Sequence, residues 1–234
     1  MQDPADRQNS GTAPGKALLI DLDGTLVHSL PDLAAALNRL LAELDHAPLE
    51  ETQVRGMIGD GVAKLVERGL AARGTAVSDG ELNALMPRFV ELYESALTAL
   101  TRPYPGVPET LRDLTAEGWS LAVCTNKPEA ASRRILDDLG LMASIEAVAG
   151  GDTYAVRKPD PGHLLNTLAR LEVPAERAVM LGDGRNDVLA AHAAGLPAIL
   201  VSFGYSKVPV RELGADAVID DFAALPAALA QLGR

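Results

Sequence analysis

The chain has 234 residues, enough for one large domain or for a core carrying a smaller partner. Nearly half the residues are apolar and about a quarter charged, which is the composition of a globular protein rather than of a disordered one. The net charge of -11 excludes non-specific attachment to nucleic acid or to an anionic membrane, because both need clustered Lys and Arg, and any anion site must therefore reverse the sign locally.

In chain order, residues 1–15 are polar, lack both a basic start and an apolar stretch, and read as a mobile tail rather than a signal peptide. Ala17-Leu18-Leu19-Ile20 is a short unbroken apolar run, the pattern of a strand buried on both faces, and it stops at Asp21. A long helical stretch follows. Leu33, Leu37, Leu40, Leu41 and Leu44 recur at three- and four-residue steps behind Pro31, which a first helical turn tolerates, and Val62–Leu70 and Glu81–Leu97 are further helices. From about Tyr104 onward strands and helices alternate. Apolar runs at 121–124, 178–181, 198–201 and 217–219 are separated by helical patterns at 107–114, 130–139, 161–171 and 187–194. This rhythm predicts parallel βαβ units, hence an α/β fold with a doubly wound parallel sheet, formed by 16–28 and 102–234, and the helical stretch over 29–101 that breaks it reads as an inserted second small domain set above the sheet.

No apolar run approaches the roughly 18 residues of a membrane-spanning helix. The only cysteine is Cys124, so no internal disulfide can form, and a reducing compartment such as the cytoplasm is expected. His28, His46, His163 and His192 are scattered singly, without metal-binding spacing, and read as structural.

Open α/β sheets bind ligands beyond the carboxyl ends of their strands, and here those ends are strongly polar. The first run continues as Asp21-Leu22-Asp23-Gly24-Thr25, the second as Thr125-Asn126-Lys127-Pro128, and the run at 178–181 as Gly182-Asp183-Gly184-Arg185-Asn186-Asp187. Arg157-Lys158-Pro159-Asp160-Pro161 precedes a helix. The two-residue period of extended backbone turns Asp21 and Asp23 to the same side. Clustered carboxylates repel unless a cation lies among them, and Lys158 and a divalent ion would serve. With Asp183 as a third carboxylate, the oxygen-rich ligand set suits magnesium. A lone Asp-x-Asp is as often a turn or cap, and it is the ordered set of four polar strand ends that makes the case.

These residues resemble the motifs of the haloacid dehalogenase superfamily, and within it the phosphoglycolate phosphatase-like group with a helical cap. The matching segments are Asp21-Leu22-Asp23-Gly24-Thr25-Leu26-Val27, Thr125-Asn126-Lys127-Pro128, Lys158-Pro159-Asp160-Pro161, and Gly182-Asp183 through Asn186-Asp187, with similarity running from Lys16 to the end. The resemblance implies a phosphate monoesterase in which Asp21 is the nucleophile that becomes an aspartyl phosphate and Asp23 is the acid and base. It further implies that Thr125 and its backbone, with Gly24, Thr25 and Asn126, bind the phosphoryl group, and that Lys158 neutralises charge. Magnesium would be held by the Asp21 carboxylate, the Asp23 carbonyl and Asp183, with Asp187 behind them.

The segment Val54–Leu70 is similar to the cap stretch facing the active site in this group, so Arg55, Lys64 and Arg68 are candidate substrate-binding residues. Lys64 and Arg68 are equally readable as a solvated helix face. Three departures stand out: His28 replaces a usual acidic residue, Gly184 a usual Ser, and Tyr154-Ala155-Val156 ahead of the Lys158 motif also differ. The expected partner is a small phosphorylated metabolite. Rivals are a phosphatase for a sugar phosphate or larger secondary metabolite, a phosphomutase, a receiver module with an acceptor Asp, and a silent phosphate-binding protein. The long helical insertion disfavours the receiver.

Overall fold

The computed structural model describes residues 15–234, so the expected tail at 1–15 lies outside the described residues except for Gly15. Strand β1 (Lys16–Ile20) opens the chain, followed by β2 (Val27–His28). Four helices come next: α1 (Leu30–Glu43), α2 (Glu51–Arg55), α3 (Val62–Ala71) and α4 (Asp79–Glu94). The chain returns through β3 (Arg102–Pro103), antiparallel to β2, into α5 (Val107–Ala116), β4 (Trp119–Cys124), α6 (Glu129–Asp138) and β5 (Ala147–Ala149). It ends with α7 (Pro161–Leu171), β6 (Ala178–Gly182), α8 (Arg185–Ala193), β7 (Ala198–Val201), β8 (Ala217–Ile219) and α9 (Leu225–Gln231).

Six strands form one parallel sheet in the order β5-β4-β1-β6-β7-β8. The doubly wound α/β core is thus present, with β1 at its centre between β4 and β6. The unbroken apolar character of β1 follows from burial on both faces: Leu18 and Ile20 pack into one core layer while Ala17 and Leu19 pack into the other. Helices α5, α6 and α9 cover the first face, and α7 and α8 the second. The first layer runs on without a break into the helical cap, where Leu33, Leu37, Leu40 and Leu41 of α1 are buried along the expected stripe.

Two elements that anchor the cap have local causes. Helix α4 begins two residues ahead of the expected start because Ser78 and Glu81 cap each other, the Ser78 N–H donating to Glu81 Oε2 at 2.8 Å. At the cap's return, the buried Asp32 carboxylate in the first turn of α1 accepts the Leu100 N–H at 3.0 Å and the Thr101 N–H and hydroxyl at 2.7 Å. Among the described residues, no helix is long and apolar enough to cross a membrane.

Candidate active site

Because β1 is central, its end lies beside the ends of both neighbours, and the Asp21 N–H continues the ladder by donating to the Leu181 carbonyl at 2.9 Å. The Thr125 N–H extends β4 in the same way, onto the Ala149 carbonyl at 3.0 Å. Parallel pairing therefore delivers Asp21, Thr125 and Asp183 to one edge of the sheet. The loop from Leu22 to Val27 then turns tightly, with the Gly24 N–H bonded to the Val27 carbonyl at 2.9 Å. Gly24 has φ of +86°, and a Cβ there would strike the Asp183 carboxylate, so only glycine lets β1's exit loop approach the end of β6 this closely.

Lys158 is the hub of the buried charges. Its Nζ lies 3.0 Å from Asp21 Oδ1 and 2.7 Å from Asp187 Oδ1, and its side chain is 2% exposed. Burial opposes its charge, but the attraction of Asp187 and Asp21 wins and holds the ammonium above its ordinary pKa. Asp21 responds oppositely: burial pushes its pKa up to about 6, with the Asp187 and Asp23 charges adding to the push and Lys158 pulling back. Asp183 is likewise raised, first by burial and then by Asp21 and Asp187.

One oxygen from each of Asp21, Asp183 and Asp187 falls within 4.8 Å of the others. Three carboxylates faced by the single ammonium of Lys158 leave two negative charges uncompensated, and this crowding adds to the burial that raises Asp21 and Asp183. The donor set therefore fits a hard divalent cation. Asp187 has little capacity left for direct ligation, since Oδ1 takes Lys158 while Oδ2 accepts the N–H groups of Asp183 at 3.2 Å and Gly184 at 3.0 Å. It braces the loop that presents Asp183. Asp183 Oδ2 in turn accepts the Tyr205 N–H at 2.5 Å.

Asp23 stands apart from this trio. Its Oδ1 accepts the Ser29 hydroxyl at 2.6 Å, and Lys127 Nζ reaches both oxygens at 3.1 and 2.9 Å. Lys127 is as buried as Lys158, and its ammonium also lies 4.6 Å from the centre of the Tyr93 ring in α4. Burial disfavours that charge, yet Asp23 raises the Lys127 pKa above its ordinary value.

A cavity of about 350 Å³ lies between sheet edge and cap, lined on the core side by Asp21, Asp23, Thr125, Asn126, Lys127 and Lys158, and by the loop from Asp183 to Asp187. Ile58 to Val62, Leu33 and Leu65 line it from the cap side. Of the residues singled out in the sequence, Gly24 and Thr25 sit behind this wall, the Thr25 hydroxyl being buried without a partner. The cap cations are not brought to the wall either. Val62 and Leu65 of α3 face the cavity, so helical periodicity sends Lys64 to the opposite side, where it pairs with Glu67 at 2.5 Å. Arg68 is tied back to Asp60 and to the Met57 carbonyl, and Arg55 crosses to the core, donating to the Phe203 and Gly204 carbonyls.

Sequence reasoning quoted Lys127 and Asn186 within motifs but gave neither a role, saw residue 29 only as the start of the helical insertion, and passed over Tyr205. Lys127 was findable, because a lysine directly after a polar strand end shares that end's position. Tyr205 follows β7 in a stretch with no charged residue to flag it. Its hydroxyl accepts the Leu30 N–H at 3.0 Å and lies 3.0 Å from His28 Nδ1, so the unusual His28 joins Tyr205 and Tyr104 at the hinge of the cap.

Known proteins resemble this chain over most of its length. The phosphoglycolate phosphatase of Rhodospirillum rubrum is 49% identical over 214 residues, covering 90% of this chain and 89% of that protein. The phosphoglycolate phosphatase of Caulobacter vibrioides is 44% identical, covering 92% and 90%. Among solved structures, a predicted phosphoglycolate phosphatase from Haemophilus somnus superposes with a TM-score of 0.87 at 31% identity, covering 94% of this chain and all of that one. CbbY from Rhodobacter sphaeroides in complex with phosphate gives 0.76 at 26%, covering 90% and 96%. The family description "haloacid dehalogenase-like hydrolase" matches residues 16–195, most of the chain, and to that family this protein belongs.

Proposed function

We propose that this enzyme, a phosphoric monoester hydrolase, cleaves 2-phosphoglycolate or a similarly small phosphate monoester through an aspartyl phosphate on Asp21. The observation that carries the reading is the Asp21–Lys158 pair at 3.0 Å inside a cluster of three carboxylates under the cap. The names of the relatives at 40–49% identity support the substrate, and a cavity of about 350 Å³ suits a small one.

In the first step an Asp21 oxygen attacks phosphorus, the bond from phosphorus to the leaving oxygen breaks, and Asp23 gives its proton to that oxygen. Next, water attacks the phosphorus, the bond to Asp21 breaks, and Asp23 takes the proton that the water loses. Thr125 and neighbouring N–H groups hydrogen-bond the phosphoryl oxygens, and Lys158 offsets their charge beside Asp21. The Asp21 carboxylate, the Asp23 carbonyl and Asp183 would hold magnesium, with Asp187 bracing Asp183. When bound, the dication supplies the positive charge that the carboxylate cluster and the phosphoryl oxygens both lack. Gly24, Thr25 and Asn126 keep the loops in place around the phosphoryl group, while Arg55 and Arg68 brace the cap and its contact with the core and Lys64, paired with Glu67, takes no part. The lone buried Cys124, whose thiol burial pushes up to about 12, suits a reducing compartment, the cytoplasm.

The test is turnover of 2-phosphoglycolate, pentose phosphates, a sugar bisphosphate and p-nitrophenyl phosphate, with magnesium and with a chelator. The reading expects free phosphate from 2-phosphoglycolate at the highest kcat/KM, no activity in chelator, and a loss of at least about 10⁴-fold in kcat for Asp21→Asn, as for other residues forming covalent intermediates. Appreciable turnover by Asp21→Asn would overturn the mechanism, and preference for another ester would overturn the substrate.

A further inference from the structure

The cap touches the core through one loop in particular, and the contacts are directional. Gly59 has φ of +112° with open space where a Cβ would stand, so glycine is there for its backbone, which turns the Gly59 carbonyl toward the core. Two side-chain amides converge on that carbonyl, Asn126 Nδ2 at 3.2 Å and Asn186 Nδ2 at 3.2 Å. Asn186 also donates to Asp60 Oδ1 at 2.9 Å. The other Asp60 oxygen is held by Arg68, which bonds the Met57 carbonyl at 2.9 Å and so stiffens the loop from within the cap.

On the core side neither amide is an isolated surface group. Asn126 follows Thr125 and donates to the carbonyl of Lys158 at 2.9 Å. Asn186 lies between Asp183 and Asp187, in the turn whose N–H groups Asp187 holds. One cap peptide is therefore gripped by the loops that carry Thr125, Lys158 and the carboxylate cluster. The cavity is bounded by the same loop, by Asn126 and by Asn186, so parting these contacts would lift that stretch of the cap from the cavity rim.

We propose that Asn186 and Asp60 form the clasp that closes the cap over a bound phosphate ester, which makes Asn186 a positioning residue for the reaction. It acts through the cap loop rather than on the phosphoryl group. The clasp adds its hydrogen bonds only when the cap is down, so its energy appears in the closed complex that reacts and not in binding of phosphate to the core. The inference rests on the phosphatase reading but on no particular ester.

The test is a double-mutant cycle in the full-length protein with magnesium, using whichever ester the wild type turns over, 2-phosphoglycolate or p-nitrophenyl phosphate. Asn186→Ala and Asp60→Ala are each expected to lower kcat/KM about tenfold or more, with the double variant no worse than the weaker single one. The inhibition constant for inorganic phosphate should stay within about twofold of wild type for Asn186→Ala, because the clasp does not touch phosphate. Asn186→Asp, which sets two carboxylates together, should be worse than Asn186→Ala, and the exchanged pair Asn186→Asp with Asp60→Asn should recover much of the loss. Additive single effects, an unchanged kcat/KM, no recovery in the exchanged pair, or a matching loss of phosphate affinity would each overturn the clasp. A wild type that ignores 2-phosphoglycolate yet cleaves p-nitrophenyl phosphate overturns the substrate reading alone, and the cycle still decides the clasp.

Discussion

Asp21 has the buried Lys158 ammonium 3.0 Å away and two further carboxylates close by, so its ionisation is tied to folding. Its pKa is raised from 3.8 to about 6 by burial first and by neighbouring acids second. The folded chain therefore binds this proton more tightly than the unfolded chain, and the stabilisation is complete below about 3.8 and lost as pH climbs through about 6. An Asn at this position has no proton to lose. In chelator, the melting temperature of Asp21→Asn should rise relative to wild type between pH 4.5 and pH 7, measured by differential scanning fluorimetry. A difference that is flat or falling with pH contradicts the assigned burial. Taking the difference cancels His163, whose pKa burial and Lys158 lower to about 4 and which works in the opposite sense as pH falls.

The element that most needs its anchor is α1, because the chain must leave and re-enter the core at the same narrow hinge of β2 and β3. Asp32 does this by collecting three donors from Leu100 and Thr101 on the returning strand. Asp32→Ala would leave buried N–H and hydroxyl groups without an acceptor, and a loss of about 3 kcal/mol is expected, since each such group costs about 1–3 kcal/mol. Urea unfolding monitored by circular dichroism would measure it, and a change below about 0.5 kcal/mol, the range of ordinary surface substitutions, would refute the anchoring role. Activity should fall less than stability, because Asp32 does not line the cavity. The hinge shows why elements differ in legibility. Helix α7 matches its expected bounds because Asp160 caps it and Pro161 starts it, whereas β2 and β3 are two residues each and α2 is five, too short to show any period.

At the scale of the whole molecule, the uncompensated carboxylates mean that a divalent ion should stabilise the folded chain by mass action. Saturating magnesium is expected to raise the melting temperature at pH 7.5 by several degrees and to do far less in Asp183→Asn. Equal shifts in both proteins would place the ion elsewhere. Much of this site was legible beforehand, since Asp21, Thr125 and Asp183 stand at strand ends that the sheet's parallel order brings together, and Lys158 stands in a polar segment just ahead of α7. What escaped was the traffic between layers: the Asn186–Asp60 bond joins residues 126 positions apart, and the Arg55 guanidinium reaches carbonyls 148 and 149 positions away. Such pairings depend on how cap and sheet dock, which no local pattern encodes. Lys64 shows the same limit in reverse, because its charge suggested a ligand while the helix phase turned it outward.

The position of β1 between β4 and β6 has a consequence for biosynthesis. Asp21 is translated before every group that surrounds it, Lys158 following only after the whole cap and Asp183, at the end of the neighbouring β6, later still. A nascent chain released before β6 emerges has an attacking group with no completed electrostatic surroundings. Catalytic competence should therefore appear abruptly once β6 and the loop behind it have emerged, rather than growing in step with chain length.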